Sequence, residues 1–514
     1  MPISIQIATA AFIVVPFLAI LLLNLMKKEA AGKMALCTGI TVSGLQIAFA
    51  IIAFIVLWQN NKDFVNFSVF WDLNSSPTAS YFSLDFLSLM VVFCIGMVTM
   101  VSYFVAGKTS KGKNLNFTNL MLVLTLGMNG IVMVTDLFSF YVFLEITAVA
   151  SFVLISLFKD KNGLEGAYKY LIMSCIATVF LLFSMAFIFM ETGSLSYEAL
   201  ASAFAGWKAG GYPFHMIAAL ILFATGISIK AGLVPFHAWL PDAYQAAPPA
   251  VSVVLGGLVT KVVGVYAIMR LMGDAFGQVD TLNSVMMVIA LVSIVFGAIA
   301  AVGQKDFKRI LAYSSISQIG YIVLGISCGS FIGFLGAALH FFNHSTFKTT
   351  LFVNSAAVEH ETHTRDISRL GGLSKQMPIT GASSVLAFLS AAGIPPLAGF
   401  WSKLLIIIAT WQTGYHSAAF IAIFASIFTL AYFLRLQRRV FFGPQVVYNA
   451  IWPMNYTRYK SDLDDNDKPI EVDIDIAEPK NGLIFSQIFL SVITVAVGVL
   501  FPFMLVFLQA QGIL

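Results

Sequence analysis

Charge is scarce in this 514-residue chain: Asp, Glu, Lys and Arg together make up 11% of it, against about 25% in an average soluble protein. That shortage excludes a water-soluble globular enzyme. Cysteine is scarce as well. Cys37, Cys94, Cys175 and Cys328 each fall inside an apolar run with no paired spacing, which indicates neither a metal cluster nor a disulfide framework. No Gly-rich nucleotide loop, Cys cluster or haem motif occurs, so no cofactor and no redox chemistry are expected within the chain. No strongly basic patch points to nucleic acid.

Apolar side chains are abundant instead: 59% of residues are hydrophobic, 14% aromatic, and Phe alone occurs 47 times. A membrane span needs about 20 mainly apolar residues to cross about 30 Å of hydrocarbon. Fourteen such segments can be placed, centred near Val14, Ile47, Val92, Leu124, Leu144, Phe180, Leu222, Val259, Val288, Ile319, Ala338, Leu389, Ile427 and Val495. The expected fold class is an all-α polytopic membrane protein of about 14 transmembrane helices. The first segment is too long, and too closely followed by others, to be a cleaved signal peptide.

Basic residues resist translocation and gather in cytoplasmic loops. Loops after odd-numbered spans hold Lys27, Lys28, Lys33, Lys108, Lys111, Lys113, Lys159, Lys161, Lys169, Lys305, Lys308, Arg309, Arg365, Arg369, Lys375, Arg438 and Arg439, and the last of them continues through Arg458, Lys460, Lys468 and Lys480. Loops after even-numbered spans hold only Lys62, Lys208 and Arg270. The asymmetry predicts a multi-pass protein of a prokaryotic plasma membrane with both termini outside and odd-numbered loops cytoplasmic. Residues 60–83 read as an external loop or hairpin, and the acidic stretch from Pro444 to Lys480 as a cytoplasmic loop or docking surface.

Five basic residues remain inside apolar runs, Lys230, Lys261, Lys348, Lys403 and Arg435, together with Glu145, His340 and His344. A charge at mid-bilayer costs at least about 2.5–3.5 kcal/mol, so these side chains should face the protein interior, pairing with one another or lining an ion path. Glu145 stands alone between Asp136 and Lys159, and its charge should depend on whether a lysine approaches it. A static ion pair holding two helices together would satisfy the same pattern. Lys230 lies in a run broken by Gly226, Gly232 and Pro235, and Lys403 follows a break at Gly393, Pro395 and Pro396. Proline removes a backbone hydrogen bond, and a broken membrane helix survives only where protein or trapped water satisfies the freed groups. Two interrupted segments at corresponding places point to an inverted-repeat transporter.

His340, His344 and Lys348 follow an i, i+4, i+8 spacing that stacks them on one helical stripe. The His pair lacks a third ligand at zinc-enzyme spacing, so no metal is expected. Imidazole titrates near neutral pH and suits proton relay, although His340 could equally be a packing residue and His237 either a relay or a loop anchor. Asp136 is a further accessory candidate.

The runs FYVFLEI, KAGLVPFHAWLPDAYQAAPPAVS, TKVVGVYAIMR, DFKRILAYSSISQIGYI, FNHSTFKTTLF and GIPPLAGFWSK resemble the antiporter-like, proton-conducting membrane subunits of respiratory complex I, multisubunit Mrp-type Na+/H+ antiporters and membrane-bound hydrogenases. The resemblance covers about residues 80–440. It implies two inverted five-helix half-channels with broken helices 7 and 12, joined by a hydrated line of charges. It also implies roles in proton transfer for Glu145, Lys230, Lys261, His344, Lys348 and Lys403. Lys403, where some members carry glutamate, makes the chain look like the Mrp D-type or complex I N-type subunit. Its stop at Leu514 argues against the extended L-type and A-type members. The expected organisation is an N-terminal block of three helices with an external loop at 1–110, first repeat 111–275, second repeat 276–443, acidic loop 444–481 and last helix 482–514. The implied partners are other integral membrane subunits, protons, Na+ in the antiporter branch, and lipid. Two rival readings remain at this stage: a non-conducting scaffold subunit of the same complex, and a self-sufficient secondary antiporter.

Overall fold

The computed structural model describes residues 3–59, 64–67, 82–444, 476–479 and 482–510. Helices α1 (Ile3–Leu25) and α2 (Lys28–Gln59) precede a two-stranded antiparallel hairpin, β1 (Phe64–Phe67) and β2 (Phe82–Asp85), in which Phe64 lies opposite Asp85. Then come α3 (Phe86–Thr109), α4 (Asn114–Met133), α5 (Leu137–Ile155), α6 (Lys161–Thr192), α7 (Tyr197–Gly210), α8 (Phe214–Ala231) and α9 (Trp239–Ala246). A mixed helix follows over Pro249–Ala275, made of α10 (Pro249–Val254), α11 (Ala267–Arg270) and π-helical turns at Leu255–Val259, Lys261–Tyr266 and Leu271–Ala275. The chain continues with α12 (Asp280–Val302), α13 (Phe307–Ser327), α14 (Phe331–Thr362), α15 (Pro378–Ala392), α16 (Ala398–Gln412), α17 (His416–Val440) and α18 (Gly482–Ala510).

Each of the fourteen apolar centres read from the sequence falls inside one of these helices, and among the described residues eleven helices are long and apolar enough to cross a membrane. The hairpin occupies the flanks of the expected external loop; the rest of that loop, and all of the acidic segment except residues 444 and 476–479, lie outside the described residues. Glu478 accepts hydrogen bonds from the backbone N–H groups of Ile379 (2.9 Å) and Thr380 (3.0 Å), capping α15 from a distance of about 100 residues in sequence.

Short polar side chains set the helix starts. Asp85 accepts from the Ser88 N–H, Asp136 from Ser139, Asp160 from Gly163, Asp306 from Arg309 and Ser330 from Gly333. Packing follows the membrane rule: large apolar groups such as Phe183, Phe214 and Phe503 are exposed on the outer faces, while Lys230, Lys261, Lys348, Lys403, His340 and His344 sit inside. An eighteen-residue stretch of the Pro249–Ala275 helix is wholly buried, which makes it the central element.

The two breaks expected from sequence are built alike. After α8, Gly232 takes a left-handed conformation (φ 68°), its N–H donates to the Ile229 carbonyl, and the Leu233 N–H reaches back to Ser228. After α15, Gly393 does the same (φ 84°), donating to Leu389 and Ser390, and the Ile394 N–H reaches back to Leu389. This left-handed cap closes each half-helix within the protein. Pro235, Pro395 and Pro396 follow the glycines and prevent direct continuation.

Glycine brings the central helix against its neighbours. A Cβ on Gly264 would meet the Ala231 Cα at 2.5 Å, and one on Gly256 would strike the Phe352 ring. Because the obstacle at Gly264 is backbone, Gly264→Leu should lower stability by about 1–3 kcal/mol. The melting temperature of the detergent-purified protein measures this. Gly107→Leu, which points into open space, should leave the melting temperature nearly unchanged.

Candidate functional site

Glu145 on α5 and Lys230 at the end of α8 meet across the bundle. Their Nζ–Oε1 distance is 2.9 Å, Lys230 is buried, and the Glu145 side chain keeps 29% of its surface exposed. Two hydroxyls of α6 complete the pair: Thr178 donates to Glu145 Oε1 at 2.6 Å, and Ser174 accepts from Lys230 Nζ at 2.7 Å. At the break the Ile229 carbonyl accepts from the indole N–H of Trp239 (3.0 Å) as well as from the Gly232 N–H.

The other lysines are held differently. Lys261, in a π-helical turn, donates to the Gly256 carbonyl five residues back in its own helix. Lys348 donates to the Leu311 carbonyl (2.9 Å) and to Ser314 Oγ (2.7 Å) on α13, and that hydroxyl also bonds Tyr432 at 2.7 Å. Lys403 turns back to the broken end of α15, donating to the carbonyls of Ala391 (2.9 Å) and Ala392 (3.4 Å) with its ammonium 4.6 Å from the centre of the Tyr321 ring. All three are buried, and among the described residues none has a carboxylate partner.

His344 lies where these groups converge, within electrostatic reach of Lys261, Lys348, His340 and Lys403. Both of its ring nitrogens are buried without a hydrogen-bond partner among the described residues. His340, one turn earlier and 6.3 Å away ring to ring, is anchored by Ser402 (2.9 Å) and Gln318 (3.1 Å). Asn343 ties the same turn of α14 to α16 through the Ala398 carbonyl (2.7 Å). Five of the expected residues therefore form one cluster, and Glu145 with Lys230 forms a separate pair. Close packing of Gly264 on Ala231, one residue from Lys230, connects the two helices that carry Lys230 and Lys261.

Two of the accessory candidates, Asp136 and His237, are placed apart from this cluster, which includes the third, His340. Asp136 caps α5, and His237 packs edge-on against Phe296 with ring centres 4.6 Å apart. Arg435 donates to the Val302 carbonyl.

Two charged groups read as loop residues prove to be built into helices. Lys308 is buried and pairs with Glu359 at 3.3 Å. Arg270 grips Asp85 through two bonds of 2.6 and 2.8 Å and also binds Asp274 and Ser88. The Asp306 cap signal places Lys308 within the first turn of α13, a clue already present in the sequence.

The family described as NADH:quinone oxidoreductase/Mrp antiporter, TM, matches residues 134–429. The chain is 34% identical over 350 residues to the N-type subunit of the NADH-quinone oxidoreductase of Desulforudis audaxviator, covering 68% of this chain and 69% of that protein. It is 33% identical over 364 residues to the D-type subunit of the Na(+)/H(+) antiporter of Alkalihalophilus pseudofirmus, covering 70% and 73%. Among solved structures, a chain of the Mrp complex from Dietzia sp. superposes with a TM-score of 0.83 at 26% identity, over 98% of this chain and 96% of that one. A chain of the archaeal membrane-bound sulfane sulfur reductase gives 0.82 at 26% identity, over 97% and 95%.

The geometry of the Glu145–Lys230 pair sets its energetics. Lys230→Met should strand the carboxylate and destabilise the protein more than the double change Glu145→Gln with Lys230→Met, because an unmatched charge costs more than a neutral pair. Melting curves of the two single and one double variant should show a coupling of about 1–3 kcal/mol.

Proposed function

This chain belongs to the NADH:quinone oxidoreductase/Mrp antiporter transmembrane family, and from that premise we propose that it is a proton-translocating, antiporter-like subunit of a multisubunit membrane complex. Protons pass along Glu145, Lys230, Lys261, His344, Lys348 and Lys403. The observation that carries this reading is the cluster around His344: three buried lysines held only by carbonyls and hydroxyls, facing an imidazole with both nitrogens unpartnered among the described residues. Such groups can gain and lose a proton without an ion pair being broken, and a scaffold has no use for them.

The Glu145–Lys230 pair gates one end of the line. With the carboxylate at 2.9 Å the proton stays on Lys230, and its withdrawal lets the proton pass toward Lys261. Coupling along the line requires each site to bias its neighbour, a reciprocal free energy of about 1–3 kcal/mol. The matching construction of the two breaks supports a division into two repeats, residues 111–275 and 276–443, related by inversion and flanked by 1–110 and 482–514. The basic residues support a prokaryotic plasma-membrane location with odd-numbered loops cytoplasmic and both termini outside. The relatives' own assemblies support integral membrane partners of the D-type or N-type setting.

The test is transport. In vesicles holding the intact complex, Glu145→Ala and Lys230→Ala should each abolish formation of a pH gradient while the complex still assembles; unaltered pumping in either variant discards the scheme. A C-terminal reporter should be reached by a membrane-impermeant protease from outside whole cells, and protection of that reporter reverses the assigned orientation.

A further inference from the structure

A polar cavity of about 840 Å³ opens on the side of the protein that carries the odd-numbered loops. It is large enough for tens of water molecules. Its inner wall is formed by Lys308 at the start of α13 and by Ala356 and Glu359 near the end of α14. Glu359 is partly exposed to the cavity and partly turned inward, where Oε2 lies 3.3 Å from the buried ammonium of Lys308. Lys308 also donates to the Ala247 carbonyl at 3.0 Å, and Arg365 (3.8 Å) and Lys111 are the other charges that face Glu359.

Both helices of this pair also hold Lys348. Glu359 follows Lys348 by eleven residues, three turns of α14, and so shares its face. Ser355 stands between them on the same stripe, four residues before Glu359 and seven after Lys348. Its hydroxyl is fully buried and has no hydrogen-bond partner among the described residues. A buried hydroxyl left unpaired is costly, which makes Ser355 a natural station for water. On α13, Leu311 and Ser314, the two residues that hold Lys348, lie three and six positions after Lys308.

We propose that Glu359, paired with Lys308, is the access residue through which protons pass from the cavity along the Ser355 stripe to Lys348. The inference rests on the reading of the chain as a proton-translocating subunit and adds where the line is loaded. A hydronium ion in the cavity gives its proton to the Glu359 carboxylate, which loosens the bond to Lys308. The carboxyl then passes that proton to water on the inner side. The Ser355 hydroxyl accepts one proton as it releases another, and the neutral amine of Lys348 becomes an ammonium. Glu359 returns to a carboxylate and pairs with Lys308 again. A pure clasp between α13 and α14 would need the ion pair but neither the cavity nor the orphaned hydroxyl.

The test uses the intact complex in vesicles, with pH-gradient formation read for wild type, Glu359→Gln, Glu359→Asp and Lys348→Ala. Glu359→Gln should slow transport at least about tenfold with assembly intact, Glu359→Asp should restore most of the rate, and Lys348→Ala should abolish it. Alongside, Ser355→Cys is placed in a background where the exposed Cys37 and Cys175 are serine, and a small charged thiol reagent is offered from the cavity side. Labelling of that cysteine is expected. Wild-type transport in Glu359→Gln while Lys348→Ala is inactive overturns the access role and leaves the proposed function standing. Wild-type transport in Lys348→Ala brings down that function itself. Equal slowing in the Gln and Asp variants, or an unreactive cysteine at 355, reduces the pair to a clasp. Should Glu359→Gln fail to assemble, thiol labelling alone decides: modification supports the route and its absence overturns it.

Discussion

Hydrocarbon cannot solvate a charge, and the architecture follows from that constraint. Each lysine inside the bundle must bring its ammonium to oxygen atoms supplied by the protein. The chain meets the demand in two ways. Lys230 is given a carboxylate and a hydroxyl, from Glu145 and Ser174. Lys261, Lys348 and Lys403 are given main-chain carbonyls, supplemented by the Ser314 hydroxyl at Lys348. Irregular backbone supplies the carbonyl at two of the three, a π-helical turn at Lys261 and an interrupted helix at Lys403, whereas Lys348 shares the Leu311 carbonyl of the unbroken α13.

The two interrupted helices show how one local device serves two ends. At the first break, Trp239 shares the Ile229 carbonyl with the Gly232 N–H, and Lys230, just before the glycine, is directed across the bundle to Glu145. At the second break, Lys403 comes after the prolines and folds back to occupy the freed carbonyls itself. The order of lysine and proline thus sets whether the cation binds a side chain or the main chain, and only the first arrangement contains an ion pair that can open. On the proposed function, an ion pair at one end and carbonyl-held lysines beyond it suit a line whose state is set from its edge.

Much of this was legible in the sequence. The apolar runs located the helices because lipid imposes a length and a polarity on each of them. The lysines within those runs pointed to the candidate site, because a charge in such a place needs a reason. The i, i+4, i+8 stripe of His340, His344 and Lys348 survives as a stack, since helical periodicity is local. What stayed hidden depends on contacts distant in sequence. Arg270 and Lys308 look like loop residues when only their neighbours are read, yet Asp85, from the end of β2, and Glu359, from α14, bind them within helices. The bond from Lys261 to Gly256 depends on a π-helical register that no apolar pattern encodes. Asp136, an accessory candidate, also caps α5, a role that an acidic residue at a helix start can take.

The central claim is that Lys230, Lys261, His344, Lys348 and Lys403 are joined by water into one path for protons. Locating ordered water in the intact complex, by electron cryomicroscopy at a resolution that shows individual molecules, measures this most directly. The account predicts a chain of waters at hydrogen-bonding distances that links Lys230 to Lys261, reaches the free nitrogens of His344 and continues to Lys348 and Lys403. Dry, close-packed side chains between any two of these stations would contradict it.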